Sequence, residues 1–331
     1  MVMDRTRWIV SATALGAWMI AATGAAEVAV ERTEGGAKVT IDGQPFGEYI
    51  IKSGHQPVIW PIVGPGGQAM TRSYPLGPKL DGETDDHPHH RSLWFNHGAV
   101  NKKDFWTEPE GRESPGKNTE IVHREFVEPA EGAGAEKASR IVTRNDWTSD
   151  GQKVCEDVRT IEFGADGNGR WIDFAVEVTA SEGELVFGDT KEGAFGVRVP
   201  GTMAVDAKKG GKIVNSRGQK DVVAWGQPAE WVNYTGPVEG KPAGIAIFDL
   251  PDSFRHPTRW HVRTYGLFAA NPFGERDFSP GVDAPEHKQG EVKLAKGEKL
   301  RLHYRVLIHR GDLTTEQLKE AYERYAAAKT D

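Results

Sequence analysis

Cysteine is nearly absent: Cys155 is alone among 331 residues, so no disulfide within the chain can staple the fold. Set in the strand-like run KVCEDVRTIEF, it reads as a small core residue, not a nucleophile. Basic charge is scarce relative to acid. With 41 Lys and Arg against 48 Asp and Glu the chain carries −7, and its cations are scattered, which gives no field for nucleic acid. Long apolar runs are missing after the first residues, so no membrane span is expected in the mature chain. Repeats of solenoid or propeller length are missing too.

The opening residues are the exception. Arg5 and Arg7 precede WIVSATALGAWMIAA, and small residues follow near Gly24–Ala26. An apolar run of about 15 residues falls short of the roughly 20 that a bilayer span needs. The pattern predicts an export signal over 1–26, and hence a periplasmic or cell-surface protein.

What is present is strand grammar, with enough hydrophobic (38%) and aromatic (9%) content for a substantial core. AKVTIDGQPFGEYII reads as two alternating runs around an Asp42-Gly43 hairpin turn, and Asp150-Gly151 repeats the arrangement. In GRWIDFAVEVTAS, Ile172, Phe174, Val176 and Val178 take one face and Asp173 and Glu177 the other. KLRLHYRVLIHRG sets Leu302, Tyr304, Val306 and Ile308 against Arg301, His303, Arg305 and His309. A period of two marks an antiparallel strand with one wet face. TTEQLKEAYERYAAAK opens on a capping box, Thr314 to Gln317, and carries Leu318, Ala321, Tyr322 and Tyr325 at helical spacing. The Gly/Pro/Glu-rich stretch 128–139 reads as a surface loop. The expected fold is all-β: one large antiparallel β-sandwich over 27–331, ending in a helix over 314–329.

Three stretches carry chemistry. DDHPHHRSLWFNHG holds four of the eleven histidines, His87, His89, His90 and His97, beside Arg91 and Trp94. On a strand, His87 and His89 would share a face about 7 Å apart, close enough to share a divalent metal such as copper or zinc. Arg91 opposes a cation there unless Asp85 and Asp86 compensate. The cluster therefore reads as a metal site, as a hydrogen-bonded structural knot, or as an imidazole-rich pocket for a sugar or acid. In FGDTKEGAFGVRVPG, Asp189 and Glu192 flank Lys191 on a glycine-bounded turn, which suits either paired carboxylates or a charged hairpin. In RWHVRTYGLFAANPFG, His261 and Arg263 share a face with Trp260 and Tyr265 nearby. WGQPAEWVNYTG and LHYRVLIHRG have the same aromatic-polar character. Aromatic rings with arginine fit a saccharide, ring faces covering C–H surface and guanidinium taking oxygens. Trp147 and Trp171 read as core.

Six segments, taken in order over about residues 45–310, resemble a family of mostly exported bacterial proteins, the PmoA-like family: DHPHHRSLWFNHGAVNKKDFW, GDTKEGAFGVRV, VNSRG, AWGQPAEWVNYTG, WHVRTYGLFAANPFG and YRVLIHRG. The resemblance implies a galactose-mutarotase-like β-supersandwich whose groove presents His, Arg and acidic side chains. His89, His90, Arg91, His97, His261 and Arg263 fall in its motifs, and no catalytic role comes with them. The reading that follows is an exported carbohydrate-active lyase or hydrolase acting on glycosides, 3-keto-oxidised ones included. A keto group acidifies the neighbouring C–H, so imidazole can remove that proton. His89 or His90 would pair with His261 as acid and base. Arg91, Trp94, His97, Trp106, Asp189, Glu192, Arg263 and Tyr265 would bind substrate, with Arg91 keeping the histidines neutral. No cofactor is expected, a metal at His87 and His89 being the alternative. A non-catalytic glycan-binding protein and a sugar epimerase are the competing functions.

Overall fold

Turn chemistry and alternation build the sheets as expected. Asp42 and Gly43 (φ 51° and 69°), and Asp150 and Gly151 (φ 52° and 77°), adopt the left-handed pair that a tight two-residue hairpin requires. In the computed structural model, residues 26–108, 118–127, 139–279, 290–311 and 313–328 are described. The expected export signal, except Ala26, and the expected loop 128–139, except Ser139, lie outside them.

Among these residues there are two eight-stranded antiparallel sheets and a small two-stranded one. The first sheet runs Val28–Thr33, Gly36–Ile41, Gln44–Ser53, Gln56–Ile62, Leu93–His97, Gly193–Arg198, Leu267–Asn271, Arg259–Val262. The second runs Lys212–Asn215, Trp231–Val238, Lys241–Asp249, Lys299–His309, Gly169–Thr179, Gln152–Asp166, Arg140–Ser149, Thr119–Phe126. Their inner faces meet through aromatic contacts: Phe46 with Phe163 (6.1 Å between ring centres), Phe95 with Trp147 (5.8 Å) and Phe195 with Phe174 (5.0 Å). Cys155 and Trp147 are buried in this core. The expected β-sandwich with a C-terminal helix is the fold.

The helix, Thr315–Ala328, starts at the predicted box: the Thr314 N–H donates to Gln317 Oε1 (2.9 Å) and the Gln317 N–H to Thr314 Oγ1 (3.2 Å). Leu318, Ala321 and Tyr325 dock on Trp231, Phe248 and Leu307, on the outer face of the second sheet. That covers the far half of the expected wet face, around Arg305 and His309, while Lys299 and Arg301 stay exposed. Arg305 lies between the Trp171 and Tyr325 rings, 4.3 and 4.1 Å from their centres, and donates to Asp173. The aromatic-polar character of LHYRVLIHRG is thus a helix-docking surface. Trp171, expected in the core, is partly buried against this second cluster.

The first sheet has no wet face at its centre. Leu93–His97, Gly193–Arg198 and Leu267–Asn271 are buried at every residue. Their outer side chains lie beneath the connection 63–92 and the turn after Val262, where Val58, Trp94, Trp106, Leu267 and Ala269 form an apolar cluster of their own.

Candidate functional site

Strand register assembles the site. Trp94 pairs with Gly196, Gly196 with Ala269, and Ala269 with His261. Alternation puts all four on the outer face, because Phe95, Phe195, Phe268 and Trp260 beside them belong to the core. Three strand spacings separate Trp94 from His261, about 14 Å between Cα atoms. Between them the floor has only glycine and alanine. The Trp94 indole leans over Gly196, so that a Cβ there would meet Trp94 Cζ2 at 2.6 Å.

Above this floor runs a train of rings. His90 stacks on Trp94 (5.4 Å), His87 on His90 (4.8 Å) and Tyr265 on His87 (5.4 Å), all within 14° of parallel. Trp106 meets His90 edge-on at 5.6 Å, and His89 meets Trp106 at 6.2 Å. The Arg263 guanidinium lies 5.7 Å from the centres of both Tyr265 and Trp225, and Trp225 meets His261 edge-on at 6.4 Å. Residues 87–90 and 261–265, more than 170 positions apart in the chain, therefore form one cluster. His90 and His261 are buried, and His87 is exposed. The indole nitrogens of Trp94, Trp106 and Trp225 are buried donors with no acceptor among the described residues.

Hydrogen-bond partners fix the imidazole protons. Arg198 Nη1 lies 3.0 Å from His90 Nδ1. A guanidinium only donates, so Nδ1 carries the lone pair and neutral His90 carries its proton on Nε2. His261 is the reverse. Its Nδ1 lies 2.8 Å from the Lys191 carbonyl oxygen, which only accepts, so the proton sits on Nδ1 and Nε2 holds the lone pair. Burial, reinforced by Arg263, Lys191 and His87, pushes His261 down to about 3 against the Lys191 hydrogen bond. Burial, then the neighbouring His89 and Arg198, also holds His90 well below the ordinary histidine range. Asp86 ties the cluster together, accepting from Arg72 (2.9 Å), Arg198 (3.0 Å), Thr84 (2.5 Å) and His87 Nδ1 (2.7 Å). Burial works against its charge, but Thr84, Arg198 and His87 outweigh it and keep the carboxyl well below the carboxylate range.

Several expected positions fall elsewhere. Arg91 turns away from the histidines: its Nε pairs with Glu108 and its Nη1 donates to Ser53 Oγ at 3.2 Å. The cations that act on His90 are Arg198 and Arg72. His97 points into the core, its Nε2 donating to the Gly188 carbonyl (2.8 Å) and its ring against Phe187 and Phe273. Asp189 accepts the backbone N–H groups of Arg276 and Gly290, closing a loop, so it forms no carboxylate pair with Glu192. Glu192 pairs with Lys191 at 2.9 Å and adds its field at Tyr265. His87 and His89 lie on a turn, not a strand, His87 having φ 45°, and their rings meet edge-on at 5.6 Å. Among the described residues no group of three or more His, Cys, Asp or Glu is placed to hold a metal ion.

Arg72, Asp86, Arg198 and Trp225 were not singled out as site residues from sequence. Arg198 had a signal: it ends the strand GAFGVR, where every other side chain is apolar or absent, so a charge there needs a buried partner.

A family model described as a family of unknown function (DUF6807) matches residues 36–323. Among curated proteins, none matches the sequence. Among solved structures, the chain is similar to a galactose mutarotase-like protein from Lactobacillus casei ATCC 334, at 8% identity over 86% of this chain and 100% of that one, with a TM-score of 0.41. It is also similar to a galactose mutarotase-like protein from Clostridium acetobutylicum (10%, 86% and 99%, TM-score 0.38) and to a putative aldose 1-epimerase from Escherichia coli K12 (11%, 86% and 99%, TM-score 0.32). Likeness at this level carries no chemistry across.

Proposed function

We propose, for a chain that belongs to the DUF6807 family of unknown function, an exported carbohydrate-active enzyme that works by imidazole acid/base catalysis, as a lyase or hydrolase of glycosides. One observation carries this reading: His261 is neutral, with its Nε2 lone pair fixed by the Lys191 carbonyl, beside an arginine and aromatic rings. A buried base of low pKa is weak in water, so its target must be acidified. A carbonyl next to the reacting C–H does that, and the ring ketone of a 3-keto glycoside is one such group. In this reading Arg198 and Arg263 supply the positive charge that stabilises oxygen charge as it develops. The Tyr265 hydroxyl, its pKa raised by burial, stays protonated and is available to the leaving oxygen. Among the described residues the indole N–H groups of Trp94, Trp106 and Trp225 lack an acceptor, which a bound hydroxyl would supply.

The test is turnover. Purified protein is incubated with 3-keto and unoxidised glycosides, and release of the aglycone is followed by chromatography. The expected result is release from the activated glycoside, abolished in His261→Ala with ligand binding retained. Binding without release by the wild-type protein would make it a glycan-binding module.

A further inference from the structure

Among the described residues, Arg263 at the rim of this cluster has no counter-charge. Arg72 and Arg198 share Asp86, Lys191 pairs with Glu192, and Arg259 pairs with Glu275. Arg263 lies over the Trp225 and Tyr265 rings, and among the described residues it makes no ion pair. Stacking occupies the faces of a guanidinium and leaves its N–H edge for a planar anion, which a carboxylate matches with two parallel hydrogen bonds. Arg263 also lies two residues beyond His261. Its backbone N–H donates to the Leu267 carbonyl (2.7 Å), which carries the ladder past Val262, so the two side chains leave the same face of the sheet.

We propose that the substrate is an acidic saccharide, a 4-linked glycoside of a uronic acid whose carboxylate is gripped by Arg263. This rests on the acid/base reading above and replaces the ring ketone with a carboxylate as the activating group. Paired with a guanidinium, the carboxylate accepts charge from the adjacent C5, which acidifies its C–H. His261 Nε2 takes the C5 proton, and the C5–H electron pair becomes the C4=C5 double bond. The C4–O bond breaks with its electrons on the departing oxygen, which takes the proton of the Tyr265 hydroxyl. His261 then returns a proton through water to Tyr265. The products are a 4,5-unsaturated uronoside and an alcohol, and nothing is oxidised or reduced.

The experiment compares oligogalacturonate and oligoglucuronate, their methyl esters, and a neutral 3-keto glycoside on the full chain. Turnover is read as ultraviolet absorbance of the conjugated product, and binding is read by calorimetry on His261→Ala. The expected result is binding and elimination of the free acids. Arg263→Met should weaken the free acids by about tenfold or more while changing the esters little, with partial rescue in Arg263→Lys. Preference for the esters or the 3-keto glycoside overturns the assignment and leaves the base standing. Equal loss of every ligand in Arg263→Met also overturns it. Tight binding of the free acids through Arg263 without product supports the substrate class and removes His261 as base.

Discussion

A general base must offer a lone pair at its working pH, and His261 does so because its other nitrogen is committed to the Lys191 carbonyl. His261→Gln should lower kcat by about 10²- to 10⁴-fold with little change in KM, measured by initial rates on whichever glycoside is turned over. The neighbouring charge on the histidines gives a second prediction. A positive charge opposes protonation, so removing it raises imidazole pKa. Arg198→Met should therefore let His90 protonate at higher pH, read as the titration of its imidazole ring by NMR. Arg91→Met should leave the His90 titration in place and cost stability instead, because Glu108, mostly buried, loses its partner. A matched pair of imidazole titrations, read beside thermal unfolding, separates the two. From the sequence alone Arg91 was the natural choice, being adjacent to His90. Adjacent residues diverge in direction, however, and Ser92 turns the chain through φ 59° before the strand begins. Arg198 comes from 108 residues away, delivered by register that nothing local records.

Elements position the site through what their faces carry. Hairpin turns, alternating strands and the capped helix were legible because each depends on neighbours within a few residues. The covered outer face of the first sheet was not, because alternation says which side chains point outward but not what lands on them. Gly196 shows the consequence. Its φ demands no glycine, yet its face must admit the Trp94 indole. Gly196→Ala should push Trp94 off the floor and unstack His90, lowering activity more than stability. A change in tryptophan fluorescence at unchanged far-ultraviolet dichroism would report it, and full activity with an unmoved indole would contradict it. At the other end of the chain, Thr314→Ala removes the acceptor for the Gln317 N–H and should cost about 1 kcal/mol of helix stability, read in thermal unfolding. The site lies on the opposite sheet, so kcat should not follow.

The whole molecule couples its histidines to acid stability. His97 is fully buried, and burial pushes it down to about 4, against the Gly188 hydrogen bond and the Asp104 charge. The unfolded chain takes up that proton near 6.5. For a group whose folded pKa is depressed, the stabilisation is complete above 6.5 and is lost as pH falls toward 4, because over that window the unfolded state binds more protons. His97 alone then accounts for about 3 kcal/mol, and His90 and His261 act in the same direction. Asp86 adds little slope in this window, because its carboxyl titrates near 4 in the unfolded chain and well below that in the folded one. A catalytic base at about 3 should keep its lone pair throughout that range. The acidic limb of activity is therefore expected to follow cooperative unfolding and not the titration of His261. Activity and circular dichroism measured on the same samples from pH 7 to pH 4 should fall together. His97→Gln keeps a donor for the Gly188 carbonyl but cannot titrate, so it should shift both curves to lower pH in parallel and flatten the urea midpoint against pH. An activity loss that precedes unfolding, and that His97→Gln leaves unmoved, would place the limb in the catalytic groups instead.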